Sequence, residues 1–312
     1  MGSEPMRILV TGGGGFIGSA VVDRYIRAGH RVLVVDHRTS GRSPFIHRDA
    51  EYERADLRDG DLDGIFQRFR PHAVNHHAGH ASVPASVKDP LHDAAVNILG
   101  SIRLLEAARK SGVEKVIYPA SGGSTYGPPL YLPVDEEHPI APASPYAVSK
   151  HTVEHYLQIY HSLYGLPFTT LRYANVYGPR QSPRGEGGVV AVFIGRMLEG
   201  KSPTIFGTGQ DERDYVYVSD VAEANELALT LGSGSVVNIG TGVGTSVCQL
   251  YDELKKSTGY TGVPVYAPLR PGDVPSIRLN PARAGEVLGW HSRTSLADGI
   301  RETVDWFRAH AA

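Results

Sequence analysis

Apolar positions in the first half of the chain switch repeatedly between two spacings. Short apolar runs, typical of buried strands, are followed by stretches in which apolar residues return every three to four positions, as on one face of a helix. The predicted strands cover residues 7–10, 31–35, 52–55, 72–77, 115–121 and 168–173. The predicted helices cover residues 16–28, 91–111 and 144–164. This alternation predicts an α/β fold with a parallel sheet covered by helices on both faces.

The spacing becomes irregular after Tyr173. Turn-forming residues dominate up to Gly188, and residues 215–218 and 236–239 predict strands that return to the sheet. Residues 245–312 have a mixed pattern, which predicts a smaller C-terminal lobe. We expect a main domain and a smaller substrate lobe, formed by residues 6–173 plus about 214–244 and by residues about 174–213 plus 245–312 respectively.

The charge balance argues against polyanionic partners. Lys+Arg 31 against Asp+Glu 33 gives a net charge of −2, so nothing favours nucleic acid or an anionic membrane surface. The single cysteine, Cys248, excludes an internal disulfide and fits a reducing cytoplasm. The longest fully apolar run, 189–194, is far too short for a membrane span, and the residues ahead of Met6 read as a cloning remnant. We expect a soluble cytoplasmic protein.

A glycine-rich segment directly follows the first predicted strand and opens the first predicted helix. Residues 11–18 read Thr-Gly-Gly-Gly-Gly-Phe-Ile-Gly, which satisfies the spacings G-x-x-G-x-x-G and G-x-G-x-x-G. Glycines here allow a tight turn and let backbone N–H groups at the helix N-terminus reach a pyrophosphate. The segment predicts a Rossmann-type, doubly wound sheet that binds a dinucleotide. Cofactor contacts are predicted for Gly12, Gly15, Phe16, Ile17 and Gly18.

The second predicted strand ends in the acid that this motif places about 20 residues on. Asp36 can accept a hydrogen bond from the adenosine ribose and repel a 2′-phosphate, which favours NAD over NADP. Arg38 and Arg42 keep NADP open, because nearby cations accommodate that phosphate. After the next strand, Asp56 and Leu57 are placed to meet the adenine.

Two adjacent histidines, His76 and His77, end a further predicted strand. A metal site is one interpretation, but neighbouring side chains on a strand point to opposite faces. The favoured interpretation is that small residues after the strand let the cofactor pass, with His77 and Ala78 beside it. No metal is therefore expected.

Tyr146 and Lys150 lie four positions apart at the start of the last predicted helix, so their side chains share one helix face. Ser144 and Pro145 are typical of a helix N-cap and a first helical position. A tyrosine that acts as a base near neutral pH needs a pKa well below its ordinary value of about 10. A neighbouring ammonium and a helix N-terminus both act in that direction, so we expect the pKa of Tyr146 to be lowered.

The glycine loop, Asp36, the turn at 76–80 and the Tyr-x-x-x-Lys pair together resemble the extended short-chain dehydrogenase/reductases. Downstream segments resemble the nucleotide-sugar 4-epimerase branch of that family, the UDP-glucose 4-epimerase type in particular. These segments are residues 172–180 (Arg-Tyr-Ala-Asn-Val-Tyr-Gly-Pro-Arg), 185–190, 213–220 and 270–273. The resemblance extends from about Met6 to the C-terminal helix.

The resemblance implies an isomerase that keeps NAD bound and epimerises C4 of a UDP-hexose through a transient 4-keto sugar. In this scheme Tyr146, as phenolate, takes the proton of the sugar 4-hydroxyl while hydride moves from C4 to NAD, and Lys150 holds the nicotinamide ribose. Relatives commonly form homodimers through two long helices, which the patterns at 91–111 and 144–164 would allow. The UDP moiety is expected to contact Asn175, Val189, Thr204, Phe206, Arg213, Arg270 and Asp273.

One position departs from the family pattern. The family places a Ser or Thr four residues before the tyrosine of its Tyr-Gly pair, and this chain has Gly122 there, since the pair is Tyr126-Gly127. Ser121 and Ser124 are the candidate replacements for the hydroxyl that bonds the sugar 4-oxygen. Ser124 is favoured, because that position carries an active-site glutamate in the sugar-nucleotide dehydratases.

Related functions have less support from the sequence. A 4,6-dehydratase needs an Asp-Glu pair where this chain has Gly123 and Ser124, and the missing glutamate also argues against a UDP-glucuronate decarboxylase. A reductase with exchangeable NADPH is disfavoured by Asp36. A non-catalytic NAD sensor is disfavoured by the intact Tyr146 and Lys150.

The sugar is less well defined than the reaction. The family position that lines the far side of the sugar is Ile277 here, which neither clearly admits nor excludes an N-acetyl group. UDP-glucose and UDP-galactose are the leading pair. UDP-glucuronate and UDP-galacturonate are the alternative, since Arg184, Arg196 and Arg278 offer cations for a carboxylate.

Overall fold

The structure, a computed structural model, describes residues 4–37, 45–184, 188–269 and 276–310. Its strands are, in chain order, β1 (Arg7–Thr11), β2 (Arg31–Asp36), β3 (Glu51–Arg54), β4 (Ala73–His76), β5 (Lys115–Ser121), β6 (Phe168–Tyr173), β7 (Asn175–Tyr177), β8 (Thr204–Phe206), β9 (Glu212–Arg213), β10 (Tyr215–Tyr217), β11 (Ser235–Ile239), β12 (Thr245–Ser246) and β13 (Val265–Ala267). Its α-helices are α1 (Phe16–Arg27), α2 (Leu62–Phe69), α3 (Val83–Lys88), α4 (Pro90–Ala94), α5 (Gly100–Lys110), α6 (Gly122–Thr125), α7 (Pro145–Tyr164), α8 (Val189–Leu198), α9 (Val218–Leu227), α10 (Val247–Thr258), α11 (Ala282–Leu288) and α12 (Leu296–Ala309). A π-helical turn, Ala95–Leu99, joins α4 to α5.

A seven-stranded, wholly parallel sheet forms the centre, in the order β11-β6-β5-β4-β1-β2-β3. Alternate side chains of a strand enter opposite layers. Ile8 and Val10 of β1 pack with α1 and α9, whereas Leu9 packs with α2, α5 and α7. The inner strands are almost continuously apolar because helices cover both faces. The predicted doubly wound α/β fold is confirmed.

The predicted strand at 215–218 does not return to the main sheet, so this prediction was wrong. β10 instead pairs in parallel with β7 in a separate two-stranded sheet. The place beside β6, at the edge of the main sheet, is taken by β11. The predicted strand at 236–239 therefore does return to the sheet, as expected.

The predicted helix at 91–111 is interrupted by the π turn. Asp89 caps α4 by accepting a hydrogen bond from His92 N at 2.9 Å, and the backbone widens at the π turn before α5 begins. Single π turns are frequent at functional sites. The other long predicted helix is continuous as α7, with Ser144 as N-cap and Pro145 at its first position, as expected.

A third apolar cluster lies in the C-terminal half of the chain, where α8, α10 and α12 pack together. Phe193, Leu254 and Val304 contribute one buried side chain from each helix. Ile205 of β8 joins the same cluster, and β8 pairs with β13. None of the described helices is both long and apolar enough to cross a membrane.

Candidate active site

The glycine loop joins the carboxyl end of β1 to the amino end of α1. Gly12 has φ +68°, and a Cβ there would lie 2.5 Å from Ala78 N, so the loop meets the turn after β4 only because no side chain intervenes. A Cβ on Gly18 would lie 2.3 Å from Gly12 O. Gly15 is the N-cap of α1 and makes no side-chain capping bond. Within the described residues, no side chain caps the first N–H groups of α1, so these groups can bind an anion.

A cleft opens beside this loop at the carboxyl ends of the strands, where open parallel sheets bind ligands. Asp36 ends β2 in the cleft, and its Oδ2 accepts a hydrogen bond from Gly14 N at 2.9 Å. Ile17 packs toward the apolar core, and Gly18 is buried in the first turn of α1. The predicted cofactor residues that line the cleft are Gly12, Gly15, Phe16, Asp36, Asp56, Leu57, His77 and Ala78.

Asp56 is held by a neighbouring arginine. Arg58 Nη2 donates to Asp56 Oδ2 at 2.7 Å, and Arg58 N donates to Asp56 Oδ1 at 2.9 Å. Hydrogen bonding from the Arg58 side chain lowers the pKa of Asp56 to about 2. The carboxylate is therefore ionised near neutral pH and can only accept hydrogen bonds, as contact with an adenine amino group requires.

His76 and His77 have different surroundings, as the strand spacing predicted. His76 is buried, with Nδ1 2.8 Å from Thr11 Oγ1 and Nε2 2.8 Å from Ser101 Oγ. His77 lines the cleft and stacks on Tyr173, with ring centroids 6.3 Å apart. Burial lowers the pKa of each histidine to about 3, so both rings are neutral. Among the described residues, no group of His, Cys, Asp or Glu is arranged to hold a metal ion.

A corner predicted to be catalytic, hereafter the catalytic corner, is formed by Ser121, Tyr146 and Lys150 where β5 ends and α7 begins. Tyr146 N donates to Ser86 Oγ at 3.1 Å, which joins α7 to α3. Lys150 is 8% exposed, and its Nζ lies 4.2 Å from the centroid of the Tyr118 ring. The hydroxyl of Ser121 is close enough to the phenol of Tyr146 to act on its pKa as a hydrogen-bonding group. The corner thus brings a phenol, an ammonium and a hydroxyl together.

The expected lowering of the Tyr146 pKa is not found in the protein alone. Burial raises the pKa of Tyr146 to about 12, and the hydrogen bond from Ser121 only partly opposes this. Burial lowers the pKa of Lys150 to about 7, against the opposing effect of the Glu154 and Asp93 carboxylates. Desolvation, which disfavours each charged form, is therefore the largest effect on both groups, and for Tyr146 the Asp93 carboxylate acts in the same direction. The prediction from helix position was wrong for the protein alone.

Gly122 lies where the space for a side chain is already filled. A Cβ there would lie 2.5 Å from Leu279 Cδ1, and Leu279 is itself 1% exposed. A serine or threonine at this position would require the core to rearrange. Ser121 instead contacts the Tyr146 phenol, and Ser124 Oγ donates to Ser121 Oγ at 2.7 Å. Of the two candidate serines, Ser121 contacts the phenol directly and Ser124 contacts Ser121.

Asn175 and Arg213 are two of the predicted UDP contacts. Asn175 lies near α6, and Arg213 lies next to a residue of the core. Asn175 is the first residue of β7. Its Oδ1 lies 3.6 Å from the position that a Cβ on Gly123, in α6, would take. Arg213 ends β9, and its Nη1 donates to Glu212 O at 2.9 Å. The backbone of Arg213 forms a bridge with Ile277, the residue predicted to line the sugar, which is 2% exposed and part of the core.

The remaining predicted UDP contacts belong to the smaller lobe. Val189 begins α8, while Thr204 and Phe206 are the two ends of β8. Arg270 and Asp273 lie outside the described residues. The same holds for Arg38 and Arg42, which bear on the choice between NAD and NADP.

Three arginines were considered for a hexuronate carboxylate, and the side chains of Arg196 and Arg278 have partners in the protein. Arg196 Nε donates to Ser202 O at 2.7 Å, and Arg278 Nη1 lies 3.2 Å from Glu212 Oε2. Arg184 N donates to Ser182 Oγ at 3.3 Å in a turn. Arg196 and Arg278 thus already satisfy acceptors of the protein.

Arg180 is a cleft residue that sequence reasoning left without a role. It lines the cleft with a φ of +72°, which is uncommon outside glycine. Its Nη2 lies 2.7 Å from Asp23 Oδ2, and its Nη1 is buried without a hydrogen-bond partner in the described part of the chain. A positive charge therefore stands in the cleft wall that also contains the glycine loop.

Sequence reasoning also missed a buried polar network beside the corner. Asp93, Asn97 and Ser101 follow one another at intervals of four residues and are 0%, 3% and 2% exposed. Ser149, directly before Lys150, donates to Asp93 Oδ2 at 2.6 Å. The signal available in the sequence was this helical spacing of polar residues on a face that otherwise faces the core.

Fold and cleft together define the class: a dinucleotide-binding enzyme built on a Rossmann-type sheet. The model of the NAD dependent epimerase/dehydratase family matches residues 8–240. The chain belongs to this family. The resemblance inferred from the motifs is thereby confirmed.

Individual relatives match almost the whole chain. The UDP-glucose 4-epimerase of Mycolicibacterium smegmatis is 46% identical over 309 residues, which cover 97% of this chain and 99% of that protein. The structure of the Thermotoga maritima UDP-glucose 4-epimerase with UDP-glucose has a TM-score of 0.96 at 48% identity, covering 98% of this chain and 100% of that one. The Thermus thermophilus UDP-glucose 4-epimerase in complex with NAD has a TM-score of 0.92 at 43% identity, covering 97% and 99%.

Proposed function

We propose that this chain is an isomerase that interconverts UDP-glucose and UDP-galactose by 4-epimerisation, with tightly bound NAD. The observation that carries the proposal is the catalytic corner, where Ser121 is paired with the Tyr146 phenol and Lys150 is close enough to the cleft residue His77 to lower its pKa. The relatives support the substrate, because all three are named UDP-glucose 4-epimerase, and two of them were solved, one with UDP-glucose and one with NAD.

The residues of the cleft fit NAD. The glycine loop offers uncapped helix N–H groups for a pyrophosphate, and Asp36 offers a carboxylate at the end of β2. Arg180 Nη1, which has no hydrogen-bond partner among the described residues, adds a cationic donor to the same wall, and Asp56 and Leu57 also line the cleft. When bound, NAD supplies a positively charged nicotinamide ring that accepts hydride from the sugar and returns it.

Tyr146 acts as the base that takes the proton of the sugar 4-hydroxyl and later returns a proton to the same oxygen. A proton acceptor near neutral pH must be partly ionised, so its pKa of about 12 has to fall in the complex. The hydrogen bond from Ser121 and positive charge nearby both act in that direction. Lys150 holds the nicotinamide ribose with its ammonium.

Ser121 takes the place of the hydroxyl that family members carry at the position of Gly122. It bonds the sugar 4-oxygen together with Tyr146, and Ser124 orients it through their mutual hydrogen bond. This reverses the order expected from the sequence, in which Ser124 was favoured.

The smaller lobe binds the UDP moiety. In this assignment residues 6–173 plus about 214–244 hold NAD, and residues about 174–213 plus 245–312 hold the sugar nucleotide. UDP-glucuronate is not favoured as the substrate, because Arg196 and Arg278 have protein partners and the relatives are named for UDP-glucose. The UDP contacts are Asn175, Val189, Thr204, Phe206, Arg213, Arg270 and Asp273.

Incubation of the purified protein with UDP-glucose or with UDP-glucuronate, without added cofactor, tests the proposal. We expect UDP-galactose from the first, no conversion of the second, and NAD released when the protein is denatured. Conversion of UDP-glucuronate alone would contradict the substrate assignment. No conversion of either, without retained NAD, would contradict the enzymatic proposal and favour a different role for the cleft.

We also propose that the protein is a cytoplasmic homodimer, joined through the helices that flank the corner. Leu91, Leu99, Ile159 and Leu163 on α4, the π turn and α7 are 82%, 58%, 49% and 67% exposed. A second copy would remove this apolar surface from water. Sedimentation velocity should give a dimer for the wild type and a monomer for Leu163→Glu. A monomeric wild type would contradict the assembly.

A further inference from the structure

Asp93 is a fully buried carboxylate that has no part in the function proposed above. Ser149 Oγ donates to its Oδ2 at 2.6 Å, and Asn97 Nδ2 donates to its Oδ1 at 3.0 Å. His80 Nδ1 lies 3.2 Å from the same Oδ1. Both carboxylate oxygens are therefore engaged, by the catalytic helix α7, by the π turn and by the turn after β4.

The same network fixes the wall of the cofactor cleft. Asn97 Nδ2 donates to His80 O at 3.0 Å, and Asn97 Oδ1 accepts from His80 N at 2.8 Å. A Cβ on Gly79 would lie 2.9 Å from Asn97 Oδ1, so the turn packs directly against this amide. Gly79 and His80 both line the cleft. Asp93 thus connects α7 to the cleft wall: it contacts Ser149 of α7 on one side, and Asn97 and His80 on the other.

In the part of the chain that the structure describes, few charged groups face Tyr146 and Lys150, so each of these groups matters to the pair. Glu154 lies in an ion pair with Arg172, whose Nη2 is 2.6 Å from Glu154 Oε2. Asp93 has no such arginine: its ion-pair partner in the described chain is His80, at 3.2 Å. The groups that face the pair are Glu154 with its partners His151 and Arg172, Asp93 with His80, the neutral His76 and His77 at the end of β4, and Tyr118 of β5.

We propose, resting on the function proposed above, that Asp93 is a positioning residue of this active site. It holds the Ser149–Lys150 segment of α7 against the cofactor-lining turn and keeps one negative charge beside Tyr146 and Lys150. This charge opposes the loss of the proton from Tyr146, and it adds to the larger effect of Glu154 in opposing the loss of the proton from Lys150. It therefore favours the ammonium form of Lys150 in a site where burial favours the neutral amine.

Four variants separate the charge of Asp93 from its hydrogen bonds. Asp93→Asn and Asp93→Ser remove the charge and leave a polar side chain, and either suffices if the other fails to fold. Asp93→Glu and Ser149→Ala keep the charge and disturb the hydrogen bonds. In the neutral variants both limbs of the pH–rate profile should move to lower pH, by roughly half a unit to one unit, because losing an anion lowers the pKa of both reacting groups. In the charged variants the limbs should stay in place while kcat falls.

A second readout does not depend on catalysis. The titration of Lys150 can be followed by NMR in ligand-free protein that carries ¹³C at lysine Cε, with Lys150→Met to assign the signal. Its midpoint should fall in Asp93→Asn and Asp93→Ser and stay unchanged in Ser149→Ala. If the protein proves not to be an epimerase, this titration still tests Asp93. The proposal would be overturned if the midpoint of the Lys150 titration and the limbs of the pH–rate profile did not differ between the neutral and the charged variants. Asp93 would then be a packing residue.

Discussion

The glycine loop, which lines the cleft, and the catalytic corner, whose Lys150 helps to lower the pKa of the cleft residue His77, are built in different ways. In the loop, backbone meets backbone, and a Cβ on Gly12 would lie 2.5 Å from Ala78 N. In the corner, ionisable side chains are buried, and burial displaces the pKa of Tyr146 to about 12 and that of Lys150 to about 7. A substitution that adds side-chain atoms should therefore disrupt the loop. The corner should instead respond to substitutions that keep the shape of the side chain but remove its hydroxyl or its charge.

Loss of the Tyr146 hydroxyl should have the largest effect. Tyr146→Phe keeps the ring but removes the base, so turnover should fall by about 10³-fold while NAD is still retained. Tyr215→Phe is the matched control, because the Tyr215 hydroxyl is buried without a partner among the described residues. Steady-state kinetics and NAD release on denaturation measure both. Near-normal turnover of Tyr146→Phe would remove the phenol from the mechanism.

A single added methyl group should break the loop. Gly12→Ala combines a left-handed φ of +68° with the contact to Ala78 N, so we expect a loss of several kcal/mol, on the order of 3, and of bound NAD. Gly112→Ala is the control, since Gly112 has the same φ of +68° with no atom within 4 Å of its Cβ position. It should cost only about 1 kcal/mol. Equal losses of thermal stability would show that backbone strain, and not the close approach, decides the loop.

Loss of the Ser121 hydroxyl should lower kcat more than loss of the Ser124 hydroxyl. Ser121→Ala removes the hydroxyl that bonds the Tyr146 phenol, so kcat should fall roughly 10- to 100-fold. Ser124→Ala removes only the donor to Ser121, so a loss of about fivefold or less is expected. Both variants should retain NAD. A larger loss in Ser124→Ala would reinstate the order expected from the sequence.

The positive charge of Lys150 should lower the stability of the fold, although the proposed function gives this charge a role in catalysis. Because burial lowers the pKa of Lys150 to about 7, the unfolded chain holds this proton between pH 7 and about 10 while the folded protein does not. The contribution of Lys150 to the free energy of unfolding therefore rises with pH across that window. Below that window, the full cost of burying the ammonium is present. Lys150→Met should be inactive yet more stable at pH 6 by about 1–3 kcal/mol. Thermal denaturation of ligand-free protein from pH 6 to 10 measures this, and a difference that does not shrink with pH would contradict it.

Local patterns predicted most of the cofactor half. The strand, the glycines, the helix and Asp36 lie within about thirty consecutive residues and depend on short-range geometry, so their order in the sequence is sufficient. The strands at 115–121 and 168–173 were predicted with the bounds that the structure shows, because both are short segments rich in β-branched, aromatic or other apolar residues between turn-forming residues.

Features that depend on distant parts of the chain were not predictable in the same way. Whether residues 215–217 or 235–239 pair with β6 is decided by competition for one sheet edge, which no local pattern records. The pKa of Tyr146 depends on how completely the fold buries it, and Gly122 depends on Leu279, more than 150 residues away. Asp93 escaped notice because a carboxylate on a helix usually faces water.

The most direct test of the central claim follows the hydrogen at C4 of the sugar. UDP-glucose with deuterium at C4 is given to the purified protein in ordinary water, without added NAD, and the product is analysed by NMR. If hydride leaves C4 and returns to the same carbon within one cleft, UDP-galactose should keep the deuterium at C4. Protium at C4, or conversion that requires added cofactor, would contradict the mechanism.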